Sequence, residues 1–158
     1  MPESVEFRWI KMRHGWATFE IYKNSSNCRI SVGDGVDAPR LILDAISALL
    51  NGASSVTFSF DGEPTEVRWH IRRERSSLNV KITLHSEWGA PEEDEPAWSS
   101  DRIDLAQFAL SVKSAQENLM ASLGESGYQR EWPTHRTPNT ALAEIEESIE
   151  KFRKDYAE

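Results

Sequence analysis

Histidines 14, 70, 85 and 135 are the side chains of this chain best suited to moving protons, and their spacing decides what they can do. No two follow a metal-ligand spacing such as H-x-x-x-H, and the single cysteine, Cys28, stands alone, so the sequence spells no metal set. His70 and His85 come nearest to a site. Both occupy the polar side of alternating runs, and a turn at Ser76-Ser77 would set His70 opposite Thr83 and His85 opposite Arg68. Arg72 and Lys81 flank them, so the pair lies on a basic face that opposes a further cation. That face reads as a solvated sheet surface or as an anion or general-base site. Nucleophiles are scarce: no G-x-S-x-G elbow is present, and Cys28 falls at an inward strand position, the setting of a small buried apolar residue. Gly33-Asp34-Gly35 lacks the further glycine and the Lys-Ser/Thr of a phosphate loop and reads as a turn. Asp61-Gly62-Glu63-Pro64-Thr65-Glu66 lacks the full ligand set of a calcium loop and reads as a strand connection, with Asp61 and Glu63 adding to the acidic surface.

The least ordinary stretch is Glu87-Trp88-Gly89-Ala90-Pro91-Glu92-Glu93-Asp94-Glu95-Pro96-Ala97-Trp98, in which four consecutive carboxylates lie between two prolines and two tryptophans. Charge runs commonly serve as solvated linkers. Here the prolines restrict the backbone and lower the entropy lost on ordering, while Trp88 and Trp98 are costly to leave in water and suit an interface unless they tuck back onto a sheet. Two readings stand, a solubilising linker and a partner-binding loop. The second assigns Trp88, Glu92, Glu93, Asp94, Glu95 and Trp98, with Asp61 and Glu63, to partner binding.

Elements that would carry these groups follow from periodicity. Phe7 and Trp9 alternate with polar residues, as do Ala17, Phe19 and Ile21, and pairing 9 with 19 and 7 with 21 sets Arg8 opposite Glu20. Cys28, Ile30 and Val32 form a third strand. Asp37-Ala38-Pro39 opens a helix whose apolar residues repeat at three and four from Leu41 to Leu50, before Asn51-Gly52 ends it. A second trio follows, through Val56, Phe58 and Phe60, then Val67, Trp69 and Ile71, then Leu78, Val80, Ile82 and Leu84. Ser99 or Ser100 is the expected cap of a helix opened by Asp101 and ended by Gly124, residues 127–138 read as a connector, and a last helix starts at Thr137-Pro138. The expected fold is α+β: a largely antiparallel, twisted sheet of about six strands with three helices on its apolar face, and one possible parallel pair between the third and fourth strands. One domain spans residues 1–158, divided into a strand-rich part (1–86), the acidic loop (87–100) and two helices (101–158).

Charge is uneven. Residues 1–86 carry a net +1 and residues 87–158 a net −9, which together give −8. A sequence pI near 5.1 argues against a protein that tracks phosphates and favours a basic partner. The longest apolar segment, Leu41–Leu50, is broken by Asp44 and Ser47 and falls short of the roughly 20 residues of a membrane span. A lone cysteine and no leader pattern point to a cytoplasmic setting.

Residues 16–73, with Asp44-Ala45, Leu49-Leu50-Asn51-Gly52, Phe58, Phe60, Glu63-Pro64 and Trp69, resemble small bacterial immunity proteins of polymorphic-toxin and contact-dependent-inhibition systems. The resemblance covers core and turn positions and brings no active-site residues. It implies a cytosolic protein that binds and neutralises a basic toxin domain, often a nuclease, without catalysis or cofactor. The alternatives are a small hydrolase or transferase using His70 and His85, and a ligand-binding or scaffold domain, for which a sheet edge or the last helix offers a homodimer contact.

Overall fold

The computed structural model describes residues 3–156 apart from Asp94. Seven strands, β1 (Glu6–Arg13), β2 (Trp16–Lys23), β3 (Ser26–Gly33), β4 (Ser55–Asp61), β5 (Glu66–Glu74), β6 (Ser77–His85) and β7 (Trp98–Asp104), lie in one sheet in chain order. Three helices, α1 (Ala38–Leu50), α2 (Leu105–Glu131) and α3 (Asn139–Asp155), complete the α+β fold. Every pair of neighbouring strands is antiparallel, including β3 and β4 across the α1 crossover, so the parallel pair expected there does not form.

The first meander has the register that its alternation dictates: Trp9 lies opposite Phe19, Phe7 opposite Ile21 and Arg8 opposite Glu20, while Ile21 meets Cys28 on β3. Between the meander and β4 the ladder narrows to the single pair Gly33 and Asp61. At this joint the sheet curls. On a flat sheet β2 and β5 would stand about 14 Å apart, yet the rings of Phe19 and Trp69 are 5.5 Å apart at their centroids. Phe7, Phe58 and Phe60 close around the same indole. This aromatic knot is the centre of the core, and the helices roof the rest.

Both outer strands are covered. Gln107 of α2 exchanges two hydrogen bonds with the backbone of Val5 (2.9 and 3.0 Å), and Ser111, one turn on, does the same with Phe7 (2.8 and 3.3 Å), so a helix stands in for the missing neighbour of β1. On the far side Glu3 pairs with β7: its N–H donates to the Arg102 carbonyl and its carbonyl accepts from Asp104.

The second half departs from the expected pattern. Residues 98–104 form β7, the seventh strand, so Ser99 and Ser100 cap no helix; α2 starts at Leu105, with the Asp104 carboxylate accepting from the Gln107 N–H at 2.9 Å. Gly124, at φ 71° and ψ 167°, breaks the helix as expected, but helical backbone resumes and runs to Glu131, past the start of the expected connector. The β5–β6 turn sits at Arg75-Ser76, with Arg75 at φ 56°. The pairing is therefore two residues away from the expected one: His70 faces Lys81, Arg68 faces Thr83 and His85 faces Glu66. No helix of the described residues is long and apolar enough to cross a membrane.

Candidate functional site

The outward face of β4–β6 is polar, and register arranges it in rows. Asp61, Glu66 and His85 lie side by side, and Glu92 continues the row through a bridge to His85. The next rows hold Ser59, Arg68 and Thr83, then Thr57, His70 and Lys81. This end of the sheet is not bare. The chain leaving β6 folds back over it, so Thr83 and His85 are buried and the expected solvated face exists only around Arg72 and Lys81.

Two polar anchors hold the returning loop. Glu66, 4% exposed, accepts from Arg68 through Nε (3.0 Å) and Nη2 (2.9 Å), from the Ser59 hydroxyl, and from the backbone N–H of Gly89 at 3.1 Å. The Arg68 guanidinium, aided by Ser59 and Gly89 against the cost of burial, holds this carboxyl down at about 2. Gly89 reaches it at φ 85°, a backbone state that favours glycine. The second anchor is a relay: His70 Nε2 is 3.1 Å from Thr83 Oγ1, Thr83 Oγ1 is 2.9 Å from His85 Nε2, and His85 Nδ1 is 2.6 Å from the Ala90 carbonyl. A carbonyl only accepts, so His85 Nδ1 carries the proton. In the neutral imidazole Nε2 then accepts from the Thr83 hydroxyl, which accepts in turn from His70 Nε2–H. Burial first, then Lys81 and Arg68, push the His70 pKa down, with Glu92 opposing them. Both nitrogens of His85 are thus committed, Nδ1 to the loop and Nε2 to Thr83 on β6. A cavity of about 180 Å³ remains between this relay, Pro91 and Glu92.

Backbone bonds from Glu93 N–H to the Leu84 carbonyl (3.0 Å) and from Ala97 N–H to the Ile82 carbonyl (2.8 Å) fasten the rest. What the loop presents outward is Glu87, Trp88, Glu92, Glu93 and Glu95, all exposed, with Trp88 at 49%. None of these carboxylates forms an ion pair with a described cation. Asp61, half-buried, and Glu63, exposed in the next turn, lie at the same end of the sheet, with Asp61 three strand positions, about 14 Å, from Glu92. Asp94 lies outside the described residues.

Trp98 does not belong to this surface. It is 4% exposed, opens β7 and pairs with Ile82 on the apolar face, because extended backbone from Ala97 onward turns its side chain into the core. Its assignment as a partner-binding residue is therefore corrected, and of the loop's two tryptophans Trp88 is the exposed one. Glu66, Thr83 and Gly89, which build the site, carried no sequence signal beyond their place on the polar side of two strands and beside a charge run. The other histidines stand apart: His14 is in the β1–β2 turn, and His135 Nε2 is 2.9 Å from the Asp34 carbonyl. Among the described residues no group of three or more His, Cys, Asp or Glu side chains is placed to hold a metal ion.

No family model, curated protein or solved structure matches this chain.

Proposed function

We propose that this chain is a non-catalytic binding module whose pinned acidic loop docks a basic protein domain. The observation that carries the reading is Trp88: a tryptophan left half-exposed among carboxylates with no ion-pair partner, on a loop tied down through Glu66 and His85. Uncompensated charge steers an oppositely charged surface and speeds encounter, and a rigid aromatic anchor slows departure. Because the loop is already fastened to the sheet, little ordering entropy is lost on binding. The resemblance to immunity proteins makes a toxin domain in the cytoplasm the partner class. An enzyme using His70 and His85 as base and acid draws less support, since both nitrogens of His85 are occupied within the chain.

The test asks first whether a gene adjacent to that of this chain encodes a basic domain that this chain captures, and then reads binding kinetics against that domain at about 20 and 300 mM salt, on either side of strong screening. The triple variant E92Q/E93Q/E95Q is expected to associate more slowly and to lose most of the salt dependence. W88A is expected to dissociate about tenfold faster. If the triple variant binds and protects cells as the parent does at low salt, the loop is a solubilising linker and the proposal fails.

A further inference from the structure

Two tryptophans stay substantially exposed, and they sit in surroundings of opposite sign. Trp88 lies among carboxylates. Trp16, 40% exposed, opens β2 on the outward face of the first meander, opposite Arg13 on β1 and Gly33 on β3, with Lys11, Thr18 and Ser31 in the next row. Lys11, Arg13, His14, Trp16, Thr18 and Ser31 line a cleft of about 440 Å³. The bulge between Trp9 and Lys11 leaves Ile10 and Lys11 both exposed, Ile10 at 40%. Neither Lys11 nor Arg13 forms an ion pair with a described carboxylate.

The two acids nearest the β1–β2 turn are already occupied. Glu131 accepts from the His14 N–H at 3.1 Å, and Asp34 accepts from the Thr134 hydroxyl at 2.8 Å. The Gly15 N–H donates to the Glu131 carbonyl at 2.8 Å, so the turn is anchored to the end of α2. The patch is pre-organised, it presents two exposed cations without a described ion pair in a chain of net charge −8, and it combines the tryptophan and arginine typical of the energetic centres of interfaces.

We propose that this patch receives the acidic loop of a second copy, so that the chain associates with itself head to tail. Lys11 and Arg13 meet Glu92, Glu93 and Glu95, and Trp16 and Ile10 meet Trp88. The inference rests on the reading of the loop as a docking element. Loop and patch stand on different parts of the sheet, β5–β6 and β1–β3, and the contact is heterologous: each added copy leaves one loop and one patch unused. Self-association therefore competes with a foreign basic partner for the same carboxylates.

Sedimentation velocity at low salt, over a series from micromolar to millimolar protein, is the measurement, with K11Q/R13Q/W16S as the patch variant and E92Q/E93Q/E95Q as the loop variant. The parent is expected to sediment faster as its concentration rises, past the dimer, and to return to monomer in high salt. Each variant alone is expected to remain monomeric. An equimolar mixture of the two has one intact loop and one intact patch per pair and stops at the dimer. A parent that is monomeric throughout, a patch variant that associates as the parent does, or a mixture that stays monomeric overturns the proposal. The loop reading is scored separately with a foreign basic domain captured by the parent, which the patch variant should bind with parental kinetics and the loop variant should not.

Discussion

Replacing Glu66 by glutamine keeps the shape of the side chain and removes the charge on which the loop anchor depends. In the parent the carboxylate is 4% exposed and accepts four hydrogen bonds, two from Arg68, and its pKa falls from 4.5 to about 2. A carboxyl that is more acidic folded than unfolded binds fewer protons in the folded state. Its stabilisation is complete above pH 4.5 and drains away as pH falls through about 2. The displacement corresponds to roughly 3 kcal/mol, and because the Arg68 side chain is 29% exposed, solvent screening lowers the expected loss at neutral pH to about 2 kcal/mol. The glutamine also turns an amide donor toward the guanidinium, so the relaxed variant does not recover the difference. Urea denaturation of parent and E66Q from pH 7 down to pH 2 measures it. Other carboxylates weaken both proteins alike in acid, and the informative quantity is the gap between them, expected near 2 kcal/mol at pH 7 and near zero at pH 2. Amide exchange at Gly89 should quicken in the same variant, since its N–H loses the carboxylate acceptor. Equal midpoints at pH 7, or a gap that persists unchanged to pH 2, would refute the assignment of Glu66 as the charged anchor of the loop.

Trp69→Ala, which empties the centre of the aromatic knot, should cost about 3 to 5 kcal/mol in thermal or urea unfolding, whereas Trp69→Phe should cost clearly less because the indole Nε1 makes no hydrogen bond. The Cys28 thiol is buried and its pKa is pushed up to about 11 by desolvation, so a thiol reagent at pH 8 should label the folded chain slowly and the urea-unfolded chain at once. Rapid labelling of the folded chain would show that β3 does not hold its inward register.

In the first meander alternation sets the facing, because a single-residue slip would have turned Phe7, Trp9, Phe19 and Ile21 toward water, and the short turn after Arg13 with Arg8 opposite Glu20 fixes the pairing. The same rule is blind to a slip of two, which keeps every side chain on its face. That is why β5 and β6 read correctly in facing but not in pairing, their turn being Arg75-Ser76 instead of a glycine or asparagine pair. β7 was illegible for another reason. In Trp98-Ser99-Ser100-Asp101-Arg102-Ile103-Asp104 only Trp98, Ser100 and Ile103 are buried, and an irregularity in the β6–β7 pairing breaks the period, so local serines and acids imitate a helix start. At the site, the exposure of the glutamates was readable from composition, but nothing local told Trp88, which stays exposed, from Trp98, which is buried. The burial of His85 and Glu66 depends on a loop folding back across the sheet, and no local pattern encodes such a contact.

A short segment does double duty in this fold. Glu3 completes β7 while Val5, two residues on, is bracketed by Gln107, so residues 3–5 help to seal both margins of the sheet. An open margin is a template for another strand, and proteins ordinarily blunt each one with its own bulge, charge or covering element. Here the protections are mechanically linked. Any event that lifts residues 3–5, whether substitution of Val5 by a charge or a pull on the chain at that point, weakens protection on both the first and the seventh strand. The danger of such an event lies less in lost folding energy than in the conversion of a closed molecule into one that offers strand-pairing groups at both ends, the geometry from which fibrillar aggregates grow.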